Sequence, residues 1–555
     1  MIQCRWRRFD GAICFSLVLA LATASRADDA PIRLNTVGFL PDAPKRASVA
    51  AACSDFRVVR DTDGGEVLAG RAAPPVKDAE AGQSLAVIDF SALAAPGVYR
   101  LDVPGVGRSA PFRVGVDVYN EPLKTATRAM YLWRCGTAVS GQYHGDTFAH
   151  PACHVEDAFL DFVGGGHARK DLAGGWHDAG DYNKYVVNAG FTVGVLLQAW
   201  DQFGDTLRAV RLDIPESNNT TPDFLDEVRW ELEWLLKMQA DDGSVYHKVS
   251  TKEFGGFVMP EAEKAERYAV PWSSAATADF AAVMAMASRH FAPYDRAFAD
   301  RCLAAARKSY AFLAANPASH PADLTGFSTG PYQTGDASGR MWAAVELWEA
   351  TGEDAFLKDF ESRANATPGR VRSSAGWSDV TNFAMYTYAL SKRQGRDPAV
   401  LESARTALVR MADGIVRTRD AHAYARPLGG RYFWGCNGHV AQQVQTLHVA
   451  NVIRPNRAYA ETSLDALGYL FGRNAYGRSF VTGVGHDPPR HPNDRRAGAD
   501  HVEAPWPGCL VGGGWPRVTE WHDTQDDYRT NGITVSWNAT LIYALAAHRA
   551  AEEKN

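Results

Sequence analysis

Residues 223–239 read DFLDEVRWELEWLLKMQ. Leu225, Val228, Leu232 and Leu235 recur there at helical spacing and share one face, which predicts an amphipathic helix. The same signature returns on both sides. EPLKTATRAMYLWR and FTVGVLLQAWDQF precede it; ADFAAVMAMASRHF, RMWAAVELWEATG, NFAMYTYALSK and WNATLIYALAAHRA follow. About a dozen such segments, with no strands read between them, predict an all-α domain of paired helices over residues 120–551.

Ahead of it the pattern changes. Residues 31–115 contain SLAVIDFSAL, GVYRLDVPGVG and APFRVGVDVY, short alternating runs separated by Gly and Pro. That spacing predicts a small all-β sandwich of roughly seven strands. Residues 1–27 read as a secretory signal: Arg5, Arg7 and Arg8, then the apolar run from Ile13 to Ala22, then Ser25-Arg26-Ala27 as a small-x-small cleavage site. The expectation is a secreted or periplasmic protein with no membrane span once the signal is cut.

The chain has 555 residues, too many for one ordinary core, which calls for two domains or one large helical barrel. Its net charge of −6 excludes a basic field able to hold nucleic acid or anionic lipid. Cys53, Cys135, Cys153, Cys302, Cys436 and Cys509 remain after the signal, too sparse a set for a disulfide framework.

Residues 174–190, GGWHDAGDYNKYVVNAG, carry the chemistry. Asp178 and Asp181 stand three positions apart among glycines and aromatics. Gly174, Gly175 and Gly180 suit a tight backbone that brings side chains close to a ligand. Trp176 and Tyr182 beside them offer stacking surfaces. GGWHDAGDYNKY resembles the catalytic aspartate motif of glycoside hydrolase family 9, the inverting cellulases and related β-glucanases. IRLNTVGFLPDAPKRA resembles the immunoglobulin-like module that precedes many of that family's catalytic domains.

The resemblance implies an (α/α)6 barrel whose loops at one end build a cleft for a β-glucan, in a chain expected to be monomeric. It casts Asp181 as the base of an inverting hydrolase and Asp178 as its partner in holding the water. Segment 479–495, SFVTGVGHDPPRHPNDR, resembles the family's substrate clamp. It keeps Arg495 as a sugar contact but has Asn493 where the family has His. The last signature, 521–539, WHDTQDDYRTNGITVSWNA, fits at Asp523, Tyr528, Thr534, Asn538 and Ala539. It adds Asp523 to the catalytic set and Tyr528 to the substrate contacts. Where the family has its general-acid Glu, this chain has Gly532, and glycine has no proton to give.

The implied functions are therefore three: a β-1,4-glucanase impaired at Gly532, a glucan-binding pseudoenzyme, or an exo-acting glucosidase or glucosaminidase that recruits another acid. Glu520, Asp526 and Asp527 are the nearby carboxylates. The residues flanking Gly532 fit the family frame, so a Glu at 532 is expected to extend toward the leaving oxygen.

Cys135, Cys153, His154 and His177 form a Cys2His2 set of the kind zinc takes tetrahedrally. Some members of the family carry a structural zinc with this ligand order. A Cys135–Cys153 disulfide is the alternative, and His144 and His150 compete as ligands. Residues 222–227, PDFLDE, resemble a calcium-binding segment of the family, with oxygen donors suited to that ion.

Overall fold

The structure, a computed structural model, describes residues 31–160, 168–373 and 375–549. The expected signal sequence lies outside the described residues. No helix among those described is long and apolar enough to cross a membrane.

Nine strands build the N-terminal sandwich: β1 (Ile32–Arg33), β2 (Arg46–Val49), β3 (Asp55–Arg60), β4 (Glu66–Arg71), β5 (Val76–Asp78), β6 (Gln83–Asp89), β7 (Gly97–Val103), β8 (Gly107–Arg108) and β9 (Phe112–Val114). One sheet has the order β1-β2-β6-β5; the other has β4-β3-β7, with β8 and β9 both on β7, and every pair is antiparallel. The alternation in β7 buries Tyr99, Leu101 and Val103 against Val58, Ile88 and Phe112 of the shared core.

Twelve α-helices follow among the described residues: α1 (Asn120–Leu132), α2 (Val186–Arg208), α3 (Asp223–Met238), α4 (Ser274–Phe291), α5 (Arg296–Ala315), α6 (Ala337–Thr351), α7 (Asp354–Ala366), α8 (Thr381–Leu390), α9 (Pro398–Asp420), α10 (Cys436–Ile453), α11 (Arg457–Leu470) and α12 (Val535–Ala546). The even-numbered helices pack α2 on α4, α4 on α6, α6 on α8, α8 on α10, α10 on α12 and α12 back on α2. That closes an inner ring. The odd-numbered helices lie outside it, α3 on α2, α5 on α4 and α7 on α6. The two layers differ in sequence for this reason. In α4 every residue but Arg289 is buried, so an Ala-rich, nearly uncharged helix is required; α5 buries only one face and carries four basic side chains.

Caps set where the helices begin. Ser273 Oγ accepts the Ala276 N–H at the start of α4, Asp295 does the same for Phe298 in α5, and Asp397 caps α9 just ahead of Pro398. The expectation of helices without intervening strands is corrected. Short strands β10 (Val139–Tyr143), β11 (Asp146–His150), β12 (Lys184–Tyr185), β13 (Tyr246–Ser250) and β14 (Tyr268–Trp272) lie in the connections. They form a hairpin and a three-stranded ribbon in the order β12-β13-β14, which stiffens the long loops leading into α2 and α4.

Candidate active site and metal centre

The loops entering the inner helices meet at one end of the barrel. The loop before α2 carries Asp178 and Asp181, the loop before α6 carries Tyr332, the loop before α8 carries Trp377, the loop before α10 carries Trp434, and Gly532 precedes α12. Tyr332 O–H donates to Asp178 Oδ2 at 2.8 Å, and its ring packs against Tyr185 and Trp377 with centroids 4.7 and 4.9 Å apart. Asn188, in the first turn of α2, donates to Asp178 Oδ1 at 2.7 Å. The main chain of Asp178 is held as firmly: its carbonyl accepts from Val535 N–H and Thr534 Oγ, which locks the loop to the start of α12. Gly180 permits a further close approach, because a Cβ there would stand 1.9 Å from the Asn493 carbonyl oxygen.

The two aspartates differ in their surroundings. Asp178 is buried, with both carboxylate oxygens engaged; burial, then the neighbouring Asp181 charge, push its pKa up to about 7. Asp181 is half-buried, and its Oδ1 accepts from Asn183 N–H at 2.9 Å. Its pKa is also raised by burial, against the pull of Arg495. The pair therefore comprises one buried carboxylate bonded through both oxygens by side chains and one that is more exposed.

The other expected site residues are distributed more unevenly. Arg495 reaches the site: its backbone N–H donates to Gly180 O, while its guanidinium donates to Gly255 O and lies over Phe254 and Phe257. Tyr528 is 47% exposed and meets Trp434, 53% exposed, edge to face at 5.5 Å. Those two rings form an open aromatic wall.

Trp176 and Tyr182 do not face the opening. Trp176 is 2% exposed; its indole N–H donates to Glu227 and its backbone N–H to Glu231, so α3 grips the loop through it. Burial pushes the pKa of Glu231 up to about 8. Tyr182 is equally buried and donates to Val258 O.

Asp523 has a different task from the one expected. Its carboxylate accepts from Arg478, from the backbone N–H groups of Arg490 and His491, and from Asn531 Nδ2. It organises the 487–491 loop. Despite partial burial, those donors hold its pKa below the usual carboxylate value, so it stays ionised and is no proton donor. Asn493 donates to Gln525 O and bridges Gly532 in parallel register, stitching the two signature segments together. The expectation of an open place at 532 meets an obstacle. A Cβ there would lie 2.3 Å from the Tyr528 carbonyl oxygen, so a side chain requires the 528–532 turn to open.

Beside this loop, Cys135, Cys153, His154 and His177 gather with one ligand atom from each all within 4.8 Å of one another. The cysteines are free thiols, which removes the disulfide alternative. Cys153 Sγ lies 3.8 Å from His177 Nε2. His154 directs Nε2 to Glu263 at 3.2 Å and leaves Nδ1 buried without a partner; His177 Nδ1 is likewise unpartnered. A carboxylate behind a ligating imidazole is the usual support of a metal-binding histidine. The set fits a tetrahedral cation. His150 bonds Pro151 O and His144 packs on Tyr143, so neither joins the group.

The calcium expectation finds no support. Asp223 is committed to Leu212 N–H and Ser217 Oγ, and Glu227 to Arg134 and Trp176. That leaves Asp226, with Oδ2 buried and unpartnered, as the one acid of 222–227 not engaged in this way, and too few oxygen donors for that ion.

Sequence reasoning missed Tyr332, Trp377, Trp434 and Asn188. Only their position just before or just inside an inner helix relates them to the aspartates.

Comparisons with known proteins agree with this geometry. The family model for glycosyl hydrolase family 9 matches residues 119–545, and that for the cellulase N-terminal ig-like domain matches residues 27–108. The chain is 51% identical over 539 residues to endoglucanase D of Acetivibrio thermocellus, covering 97% of this chain and 86% of that protein. Among solved structures, a metagenome-derived family 9 endoglucanase superposes with a TM-score of 0.88 at 34% identity, covering 93% of this chain and 98% of the other. A Zn-binding triple mutant of the family 9 endoglucanase J30 gives 0.86 at 33% identity, covering 92% and 100%. With its closed ring of paired helices, its aspartate loop and its N-terminal sandwich, the chain belongs to glycosyl hydrolase family 9.

Proposed function

We propose that this chain binds a β-1,4-linked glucan across the loops that enter the inner helices, and that it is an inverting hydrolase with Asp181 as base. The observation that carries the reading is the asymmetry of the aspartate pair. Asp178, buried with both oxygens engaged by Asn188 and Tyr332, is a fixed acceptor that orients a water; Asp181, the more exposed of the two, takes its proton. Arg495 beside Asp181 favours its ionised, basic form. The exposed Trp434–Tyr528 wall supplies apolar faces on which pyranose rings stack.

The weak member is position 532. Inverting hydrolysis needs a second carboxyl group about 6.5–9.5 Å from the base to protonate the leaving oxygen. Such an acid contributes roughly 10²–10⁴-fold in rate. Gly532 supplies none, so turnover of unactivated linkages is slow while binding persists. Asp527 is no substitute: it accepts from Thr530 and stands beside His522, and those contacts hold its pKa down despite burial.

Cys135, Cys153, His154 and His177 would hold zinc. The ion's role there is structural, since all four positions are protein ligands and none is left open for substrate. It would clamp α1, the 153–154 turn and the aspartate loop together. Export from the cell and a monomeric state complete the reading.

The experiment is a time course on cellopentaose followed by proton NMR. The expected result is slow release of products bearing the α-anomer. Products released first as the β-anomer would contradict the inverting assignment.

A further inference from the structure

A polar cavity of about 470 Å³ opens between the loops that enter α6 and α8. Thr334 and Ser338 line one wall; Arg370, Arg372, Ser378 and Asp379 line the other. These are direct continuations of the loops bearing Tyr332, which bonds Asp178, and Trp377, which packs on Tyr332. Thr334 Oγ donates to Ser378 O at 2.7 Å and laces the two walls together.

The charges in this cavity do not balance. Arg370 Nη2 lies 3.1 Å and Arg372 Nε 2.8 Å from the same atom, Asp379 Oδ2. Two guanidiniums thus share a single carboxylate oxygen. Asp379 Oδ1 is already taken by Thr381 N–H. Asp379 is the one acid among the lining residues; Asp336, between Gly335 and Ala337 in sequence, does not line the cavity and is paired with Arg340 at 2.8 Å. One positive charge is left over, on side chains 40% and 49% exposed, in a chain whose net charge is −6. Guanidinium forks match a carboxylate in two-point geometry, a match that neutral hydroxyls do not reproduce.

We propose that this cavity is a subsite for a carboxylate-bearing sugar, a uronate or carboxymethylated unit carried on the glucan chain. It rests on the reading that the neighbouring cleft holds a glucan, and it adds to that cleft a preference for acid-decorated chains over neutral ones. The carboxylate inserts between Arg370 and Arg372, with Ser378 and Thr334 meeting the ring hydroxyls.

The test is affinity electrophoresis of the full chain through gels containing carboxymethylcellulose or neutral hydroxyethylcellulose, at low and at raised ionic strength. Binding is read directly, so slow turnover does not obscure it. The native chain should bind the carboxymethylated polymer about three- to tenfold more tightly, as expected for a partly exposed charge-assisted contact. The preference should shrink as salt rises. The double variant Arg370→Gln/Arg372→Gln should lose the preference while still binding hydroxyethylcellulose, which also shows that it is folded. Ser378→Asp, which leaves both ion pairs in place, should lose it as well. A preference unchanged in both variants, or absent from the native chain while the neutral polymer binds, overturns the subsite alone. Failure of the native chain to bind either polymer overturns the glucan reading, and the subsite with it.

Discussion

At the scale of single residues, the site turns on what Gly532 lacks and on what has filled the space. The Tyr528 carbonyl stands where a Cβ would go. Gly532→Glu is therefore expected to destabilise the fold by ~1–2 kcal/mol, about one to two degrees of melting temperature in a domain of this size, because the 528–532 turn must open. The same change should raise turnover of cellopentaose roughly 10²-fold, and that of a substrate with a good leaving group far less. Calorimetry and paired kinetics check both, and an equal response of the two substrates would show that 532 is not the acid position. The aspartates were legible from sequence because the motif that holds them is contiguous. Trp176 and Tyr182 misled, since an aromatic beside a catalytic residue reads the same whether it faces substrate or core; only Glu227, Glu231 and Val258, distant in sequence, turn them inward. Asp523 misled for a similar reason, as its donors come from the 478–491 segment.

At the scale of elements, the aspartate loop is held from several sides, and two of those supports make separate predictions. The Cys2His2 group joins the end of α1 to the loop, with Glu263 behind His154. Purified protein should contain about one zinc per chain, and Cys153→Ser should lose the metal together with several degrees of thermal stability. Metal analysis finding none in the native chain would contradict this. On β13, His247 is 1% exposed; its Nε2–H donates to Pro331 O, next to Tyr332, and its Nδ1 accepts from Ser273. Burial pushes its pKa down to about 4. The folded value lies below the unfolded value of about 6.5, so the stabilising contribution is complete above that pH. It is lost as pH falls toward 4, by up to about 3 kcal/mol. The melting temperature should fall across that window, and His247→Gln should flatten part of the slope. An unchanged slope in the variant would remove His247 from the account. These supports were half legible: two cysteines and two histidines are residue types that suit a metal, whereas a lone histidine in a strand announces nothing.

At the scale of the whole molecule, helix periodicity foretold the α domain and alternation foretold the sandwich, because each follows from which face is buried. The closed order of the inner ring was not in the periodicity; it came with the family resemblance and is seen in the packing of α12 back on α2. The sandwich is docked on the barrel by specific bonds: Arg33 to Tyr424, Thr36 N–H to Phe471 O, and Arg473 to Ser48. Ring closure is what brings Asp178, Tyr332 and Gly532 from three parts of the chain to one end. The proposed consequence is a site with a base and no acid, and that is the central claim. The most direct test is fluoride release from β-cellobiosyl fluoride, a substrate that needs an activated water but little acid help. The native chain should turn it over far faster than it cleaves cellopentaose, and Asp181→Asn, still folded, should lose about 10²-fold or more of that rate. Fluoride release that is unchanged in Asp181→Asn would contradict the account.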